Sequence, residues 1–297
     1  MISYLLNRFL PKIRVKDQDN PRLGVVFGDR YMFMTLDSAK LTRRSSNELI
    51  RRRDLSKDFS TQAKGRLAVI IPFRKREEHL KQLVPRLRET LNNQEIDFHI
   101  FVVNQSDEKP FNRAKLINIG FDFSKQQFDY FCMHDVDLLP VDASYLYPSL
   151  PLRPTGFIRT SEGERKISKS NLGGVLIINK EQFLVTNGMS NNFWHWGKED
   201  DNLLYRLLSM GINPVVDIKG IFDEIDGSTD RFNVVAGDRV VVDRKAARCF
   251  IAANKKYQDR VTRGIIPACD EGLSTLNYKV LEEIKYDSDL TVIKVSL

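Results

Sequence analysis

From Leu67 onward the chain alternates short, dense apolar runs with amphipathic stretches, and this rhythm limits the fold more than any other feature. Leu67–Phe73 reads LAVIIPF, a strand's length without a charge, the pattern of a strand buried on both faces. Residues 77–93 repeat apolar side chains at helical spacing, with Pro85 expected to kink the helix or mark its start. Residues 98–104 read as a second strand, 112–121 as a second helix, and 128–134 as a third strand running into acids. Such alternation predicts an α/β domain on a mainly parallel sheet with helices on both faces. In such sheets the ligand crevice lies beyond the carboxyl ends of the strands. The first three strands end at Pro72-Phe73-Arg74, at Asn104-Gln105 and at Asp135-Val136-Asp137, so these segments are expected to converge.

The residues at these exits carry chemistry. Asp135 and Asp137 point the same way after a buried strand, while Val136 between them turns inward. At a sheet's carboxyl edge the pair suits an oxygen-ligated divalent cation bridging a diphosphate. Alone, the same tripeptide is a common solvated turn. Arg74, Lys75 and Arg76 put three cations at the first exit, and Arg favours bidentate phosphate contacts. Phe111-Asn112-Arg113 adds an aromatic, a helix cap and a further Arg. Gly173-Gly174 enters a strand, where glycine lets a ligand approach the backbone or makes a bulge.

The segment before residue 202 is more specific. Both tryptophans of the chain, Trp194 and Trp196, lie two apart, next to Gly197, and lead into Glu199-Asp200-Asp201. Leu203, Leu204, Leu207 and Leu208 continue as an amphipathic helix. A carboxylate beside an aromatic platform for a sugar ring can deprotonate a hydroxyl, and the same acids complement a helix N-terminus. A glycine-flanked Trp loop has the character of a lid.

Charge separates the first 66 residues from the rest. They hold 15 Lys and Arg against 7 Asp and Glu, whereas the remainder holds 31 against 32, so the whole basic excess lies in this segment. Ile2, Leu5, Leu6, Phe9, Leu10 and Ile13 recur at helical spacing there, a helix for packing or for lying on a membrane surface. Residues 23–36 read as a hairpin, and Arg43, Arg44 and 51–53 as a basic linker before a boundary near residue 65. The expected organisation is a basic extension over 1–66 and a larger α/β domain over 67–297, divided into halves at 67–140 and 141–297. The charge pattern suits an anionic membrane surface rather than a nucleic acid. Cys132, Cys249 and Cys269 are odd in number, without a CxxC pair, and no signal-peptide pattern or membrane-length apolar run occurs. The expectation is a cytoplasmic protein, peripheral on the inner face of a membrane.

Taken in order, the segments 71–80 (IPFRKREEHL), 101–105 (FVVNQ), 111–121 (FNRAKLINIGF), 133–140 (MHDVDLLP), 173–175 (GGV) and 187–201 (NGMSNNFWHWGKEDD) resemble glycosyltransferase family 7. These are metal-dependent, inverting β-1,4-galactosyltransferases with the GT-A fold. The pattern is nearest the branch that acts on xylose, including a segment similar to 272–278, and the chain resembles a bacterial-type soluble member. The resemblance covers 67–297 with a poor stretch at 212–270.

The resemblance implies roles for individual residues. Phe73, Arg74, Arg76 and Arg113 would hold a UDP-sugar, Asp135 and Gly174 its ribose or sugar, and Asp137 a Mn²⁺ ion, with Mg²⁺ as a substitute. Trp196 and Gly197 would close over donor and acceptor. Asp200 would be the general base, Glu199 would shape the sugar pocket, and Asp201 would support the acceptor. Three departures stand out. No histidine follows residue 195, so a carboxylate of the 221–227 segment, Asp226 by preference, would be the second metal ligand. His195 stands where the family has glycine, and Asn171 where galactose-specific members have a crowding tyrosine. The function implied is transfer of galactose or N-acetylgalactosamine from UDP to a sugar hydroxyl, on a lipid-linked or free carbohydrate. The alternatives are an N-acetylhexosaminyltransferase of chondroitin-polymerase type and an idle sugar-binding relative.

Overall fold

The run Leu67–Phe73 is the axis of the fold, with all seven residues buried. Its side chains alternate between two cores: Val69 and Ile71 join Leu83, Leu87 and Leu91 on one face, Ala68 and Ile70 join Leu116, Ile117, Leu203 and Leu207 on the other. Helices therefore cover both faces of the sheet, as a double-sided apolar strand requires.

The computed structural model describes residues 22–27, 30–35, 51–53, 65–167, 172–217, 219–225, 233–236 and 239–297. In chain order the elements are β1 (Arg22–Phe27), β2 (Arg30–Thr35), β3 (Arg51–Arg53), β4 (Leu67–Phe73), α1 (Glu77–Asn93), β5 (Phe98–Gln105), α2 (Arg113–Ser124), β6 (Tyr130–His134) and β7 (Leu138–Asp142). Then come β8 (Leu152–Arg153), β9 (Phe157–Thr160), β10 (Gly163–Lys166), β11 (Val175–Asn179), α3 (Lys180–Val185) and α4 (Glu199–Ser209). The chain closes with β12 (Val215–Asp217), β13 (Ile221–Glu224), β14 (Asn233–Ala236), β15 (Arg239–Val242), α5 (Arg244–Thr262), β16 (Lys279–Asp287) and β17 (Leu290–Ser296).

Nine strands form the main sheet in the order β16-β17-β5-β4-β6-β11-β8-β12-β3. The block β17-β5-β4-β6 is parallel, as is β8-β12-β3, but β11 runs antiparallel to both neighbours and β16 to β17. The sheet is thus mixed, and the reversal has a use: β11 starts where β6 ends, which delivers Gly174 to the acids after β6. The chain leaves β4 to one side for β5 and returns to the other side for β6, so the carboxyl end of β4 is a topological switch point. A smaller sheet, β10-β9-β13-β7, stands beside that edge.

Two local readings change. Pro85 sits inside α1 rather than at its start; it is exposed, so the carbonyl it leaves without a helical partner is on the solvent side. Residues 51–53, expected in a linker, form the outer strand β3, parallel to β12. The hairpin is present as β1 and β2, whereas the expected helix over the first 16 residues lies outside the described residues. Helix α2 approaches β4 closely because residue 120 is glycine: a Cβ there would lie 2.5 Å from Ile70 Cγ2 and 3.1 Å from Val103 Cγ2. Among the described residues no helix is long and apolar enough to cross a membrane.

Candidate active site

The three strand exits do converge. Asn112 caps α2, its side chain accepting from the Lys115 amide at 2.9 Å, while its own amide donates to Gln105 Oε1 at 3.0 Å. This fixes Arg113 as the first helical residue beside the end of β6. Its guanidinium bridges two acids: Nε donates to Asp135 Oδ1 at 2.6 Å, and Nη1 donates to Asp200 Oδ1 at 2.9 Å. The paired-acid loop after β6 and the acid triplet at the start of α4 therefore line one crevice. Val136 is buried between Asp135 and Asp137 as alternation requires. Arg76 donates to Asp137 Oδ2 at 3.3 Å from the end of β4. Gly174 accepts from the Asp135 amide at 2.9 Å, and its φ of +89° is one that side-chain-bearing residues avoid.

The site is acid-rich and largely buried, and its electrostatics follow. Burial, reinforced by Asp200, pushes the Glu199 carboxyl up to about 8 against the pull of Arg113. Burial also raises Asp200, but Arg113 opposes it both by charge and by hydrogen bond. Asp137 is pushed up to about 6 by burial and by Asp135, with Arg76 opposing and Glu224 adding to the rise. Burial works against the Arg113 charge, yet Asp135, Asp200 and Glu199 outweigh it and hold the guanidinium firmly protonated. His134 lies beneath this cluster, fully buried, with Nδ1 2.8 Å from Asp135 O and Nε2 2.9 Å from the Tyr145 hydroxyl. Burial drives it down to about 4, so it is a neutral prop.

The Trp loop is held in a conformation that costs backbone strain. His195, Gly197 and Lys198 have φ of +64°, +99° and +80°. Trp194 packs on the core, whereas Trp196 is 50% exposed. Asn254 on α5 is buried and donates to Trp194 O at 2.9 Å and Trp196 O at 3.2 Å. The His195 ring lies 5.5 Å from that of Phe250, also on α5. Gln258 completes the contact by accepting from Asn202 of α4 at 2.9 Å. Asp201 pairs with Lys198 at 2.6 Å.

Other expected residues are placed differently or lie outside the description. Phe73 is 4% exposed within the core, so no face of its ring is open to a base. Arg74 is also buried: its guanidinium donates to Gln105 O, Lys109 O and Asp107, and so braces the 105–109 loop instead of facing the acids. Asn171 and Asp226 lie outside the described residues. The segment leading to Asp226 does reach the acids, since Glu224 pairs with Leu138 across β13 and β7, and the Ile225 amide donates to Asp137 O at 2.8 Å. Glu224 is bound by Arg165 at 2.8 Å, and Asp223 lies 3.8 Å from Arg159. Among the described residues no three His, Cys, Asp or Glu side chains form a preformed metal cluster.

Two groups of residues carry only a faint signature in the sequence. Arg206, 1% exposed, donates to Asn202 Oδ1, to the Gly188 and Glu271 carbonyls and to Glu271 Oε1 at 2.7 Å. It locks α4 against the 186–191 turn and the 271–275 turn. A cation in the middle of an apolar helix face was the available clue. Asn254 and Gln258 offered less, since polar residues on the inner face of α5 weaken its periodicity.

A mixed sheet with its crevice at the switch point, a paired-acid loop after β6 and an acid-headed helix under a Trp loop together define a GT-A glycosyltransferase fold. The N-terminal region of glycosyl transferase group 7 matches residues 27–149, and the N-terminal domain of galactosyltransferase matches 158–232. The chain is 36% identical over 221 residues to β-1,4-galactosyltransferase 7 of Drosophila melanogaster and 37% over 215 to the human protein, spanning 73% and 72% of this chain. These alignments span 64% and 62% of the relatives' lengths, less than two thirds. The crystal structure of the catalytic domain of the Drosophila enzyme with xylobiose is 32% identical, with a TM-score of 0.62 over 78% of this chain and 94% of that one. A mutant of the same enzyme, in complex with manganese, UDP-Gal and xylobiose, has a TM-score of 0.59. The chain belongs to glycosyltransferase family 7. The family match begins at residue 27, ahead of the motifs that carry the resemblance, and runs to 232, into the stretch after 212 where the motifs thin out.

Proposed function

We propose that the protein is an inverting, metal-dependent galactosyltransferase that moves galactose from UDP to a sugar hydroxyl and forms a β linkage. The observation that carries this is Arg113, which ties the acids after β6 to the acids heading α4 and so joins a donor half-site to an acceptor half-site. The similar Drosophila enzyme in complex with manganese, UDP-Gal and xylobiose supports the choice of donor, metal and carbohydrate acceptor.

The donor set fits a hard divalent cation. Asp137 is held above its usual range by burial and by neighbouring acids, a strain that a cation relieves. Asp137, with Glu224 or Asp226, would hold Mn²⁺, and Mg²⁺ would be tolerated by an all-oxygen set. When bound, the ion neutralises negative charge on the departing diphosphate. Arg76 and Arg113 add fixed positive charge at the same edge. Asp200, hydrogen-bonded by a cation, is the acid better kept ionised, and it takes the proton of the acceptor hydroxyl. Glu199, pushed up to about 8, is largely protonated near neutral pH and donates to a sugar oxygen. Trp196, half exposed on its loop, covers the sugar and excludes water.

Finer features belong to the same reading. Asn171, shorter than tyrosine, favours tolerance of UDP-N-acetylgalactosamine. The basic excess of residues 1–66 favours an anionic membrane surface and a lipid-linked acceptor. Three free cysteines favour a reducing, cytoplasmic setting. The test is a screen of UDP-sugars against free and lipid-linked acceptors in Mn²⁺. Transfer of galactose with a β linkage is the expected result. Transfer of N-acetylhexosamine alone, or no transfer and no UDP-galactose hydrolysis, would overturn the proposal.

A further inference from the structure

The outer face of α5 takes no part in the chemistry above. The helix carries Arg244, Lys245, Arg248, Lys255, Lys256 and Arg260, all exposed, against one acid, Asp259. At 100° per residue these cations fall on one side, opposite the inner face formed by Ala247, Asn254, Gln258 and Val261. Arg244 and Arg248, and again Lys256 and Arg260, are like charges four apart, a spacing that works against the helix. Arg244 and Lys245 also sit in the first turn, where the helix dipole is already positive. Between the two clusters lie Cys249, Ala252 and Ala253, too small and too little apolar to insert into a bilayer. The inner face holds the Trp loop through Asn254, so the cationic stripe lies across the helix from that loop, about 10 Å away on the outer side.

We propose that this stripe binds an acceptor glycan bearing regularly spaced anionic groups, such as carboxylates, along the stretch that runs away from its reacting end. This rests on the glycosyltransferase reading and names the class of its acceptor. Charge complementarity selects the partner: about 28 Å of helix presents a row of cations to an extended polyanion.

The probe is a fluorescent oligogalacturonate, with neutral dextran and phosphatidylglycerol vesicles as the other arms, all against the full chain. The variant is Arg248→Gln, Lys255→Gln, Lys256→Gln and Arg260→Gln together; a second variant exchanges Arg and Lys at the same four positions. The 1–66 segment is common to all three proteins and cancels in the comparison. Binding to the oligogalacturonate should weaken by about tenfold or more in the Gln variant, as four exposed ion contacts are lost. It should persist in the exchange variant and fall with added salt. Dextran should not bind. Equal oligogalacturonate affinity in wild type and Gln variant would overturn the proposal, as would tighter, stripe-dependent binding to the vesicles. Binding is read without turnover, so a failed donor screen with intact oligogalacturonate binding would strike the reaction and not the stripe.

Discussion

Replacing Arg113 by methionine should cost about 3 kcal/mol at pH 8, and the cost should shrink in acid. The guanidinium and its two partners, Asp135 and Asp200, have side chains 12%, 29% and 24% exposed. At an effective dielectric constant near 20, unit charges about 4 Å apart attract by about 4 kcal/mol, so two such pairs approach ~8 kcal/mol gross. Desolvation of three ions offsets much of that, and removal of one partner from a buried pair costs roughly 3–5 kcal/mol. Partial exposure puts this site at the low end. In the variant, Asp200 and Glu199 face Asp135 without a cation, and the protonated forms of Asp200 and Glu199 become favoured in the fold. The native state then binds more protons than the unfolded chain above the ordinary carboxylate range, so stability rises as pH falls. The gap to wild type narrows by about 1.4 kcal/mol for each pKa unit by which loss of the cation raises an acid. Urea unfolding followed by circular dichroism at pH 8 and pH 5.5 measures both quantities. A gap below about 1 kcal/mol at pH 8, or one that stays constant in acid, would refute the account of Arg113 as the counter-ion of this cluster.

Asp200→Asn should lower transfer by a factor on the order of 10² while UDP binding survives; unchanged transfer would move the base to Glu199 or Asp201. Asp137→Ala should abolish Mn²⁺-dependent UDP binding by calorimetry, and the larger loss between Glu224→Gln and Asp226→Asn identifies the second carboxylate ligand. Asn254→Leu removes two hydrogen bonds to the Trp loop, each worth about 0.5–1.5 kcal/mol, and should raise the acceptor KM several-fold with the donor KM unchanged; equal effects on both would mean that the loop serves the whole site. Gly120→Ala should destabilise by roughly 1–3 kcal/mol, because the new methyl meets Ile70 and Val103 in a packed core.

The half of the site built on the sheet was legible in the sequence. Leu67–Phe73 is a strand with the bounds its composition implies, and Glu77–Asn93 is a helix with the bounds its spacing implies. The exits of β4, β5 and β6 meet because parallel strands must end on one edge. Side-chain allegiance was harder to read. Arg74 and Arg76 are two residues apart and equally cationic, yet one braces a loop and the other faces Asp137, a choice made by the course of residues 105–109. The antiparallel return of β11 could not be read from an apolar run, since GGVLII fits either direction. The contacts of Asn254 with the Trp loop and of Glu271 with Arg206 join residues 58 or more apart in sequence, and nothing local marks such contacts.

The docking of α5 has a consequence for how the protein breathes. Two of its four buried residues, Asn254 and Gln258, are polar, so the helix is held by hydrogen bonds and a few rings more than by apolar area. Segments fastened this way detach locally at a free energy well below that of global unfolding. The acids after β6 stand on strands buried on both faces, while the Trp loop depends on a helix that can let go without them. Amide exchange should accordingly divide the crevice into a slow wall and a fast wall, the strand side standing built while the loop side opens and reforms.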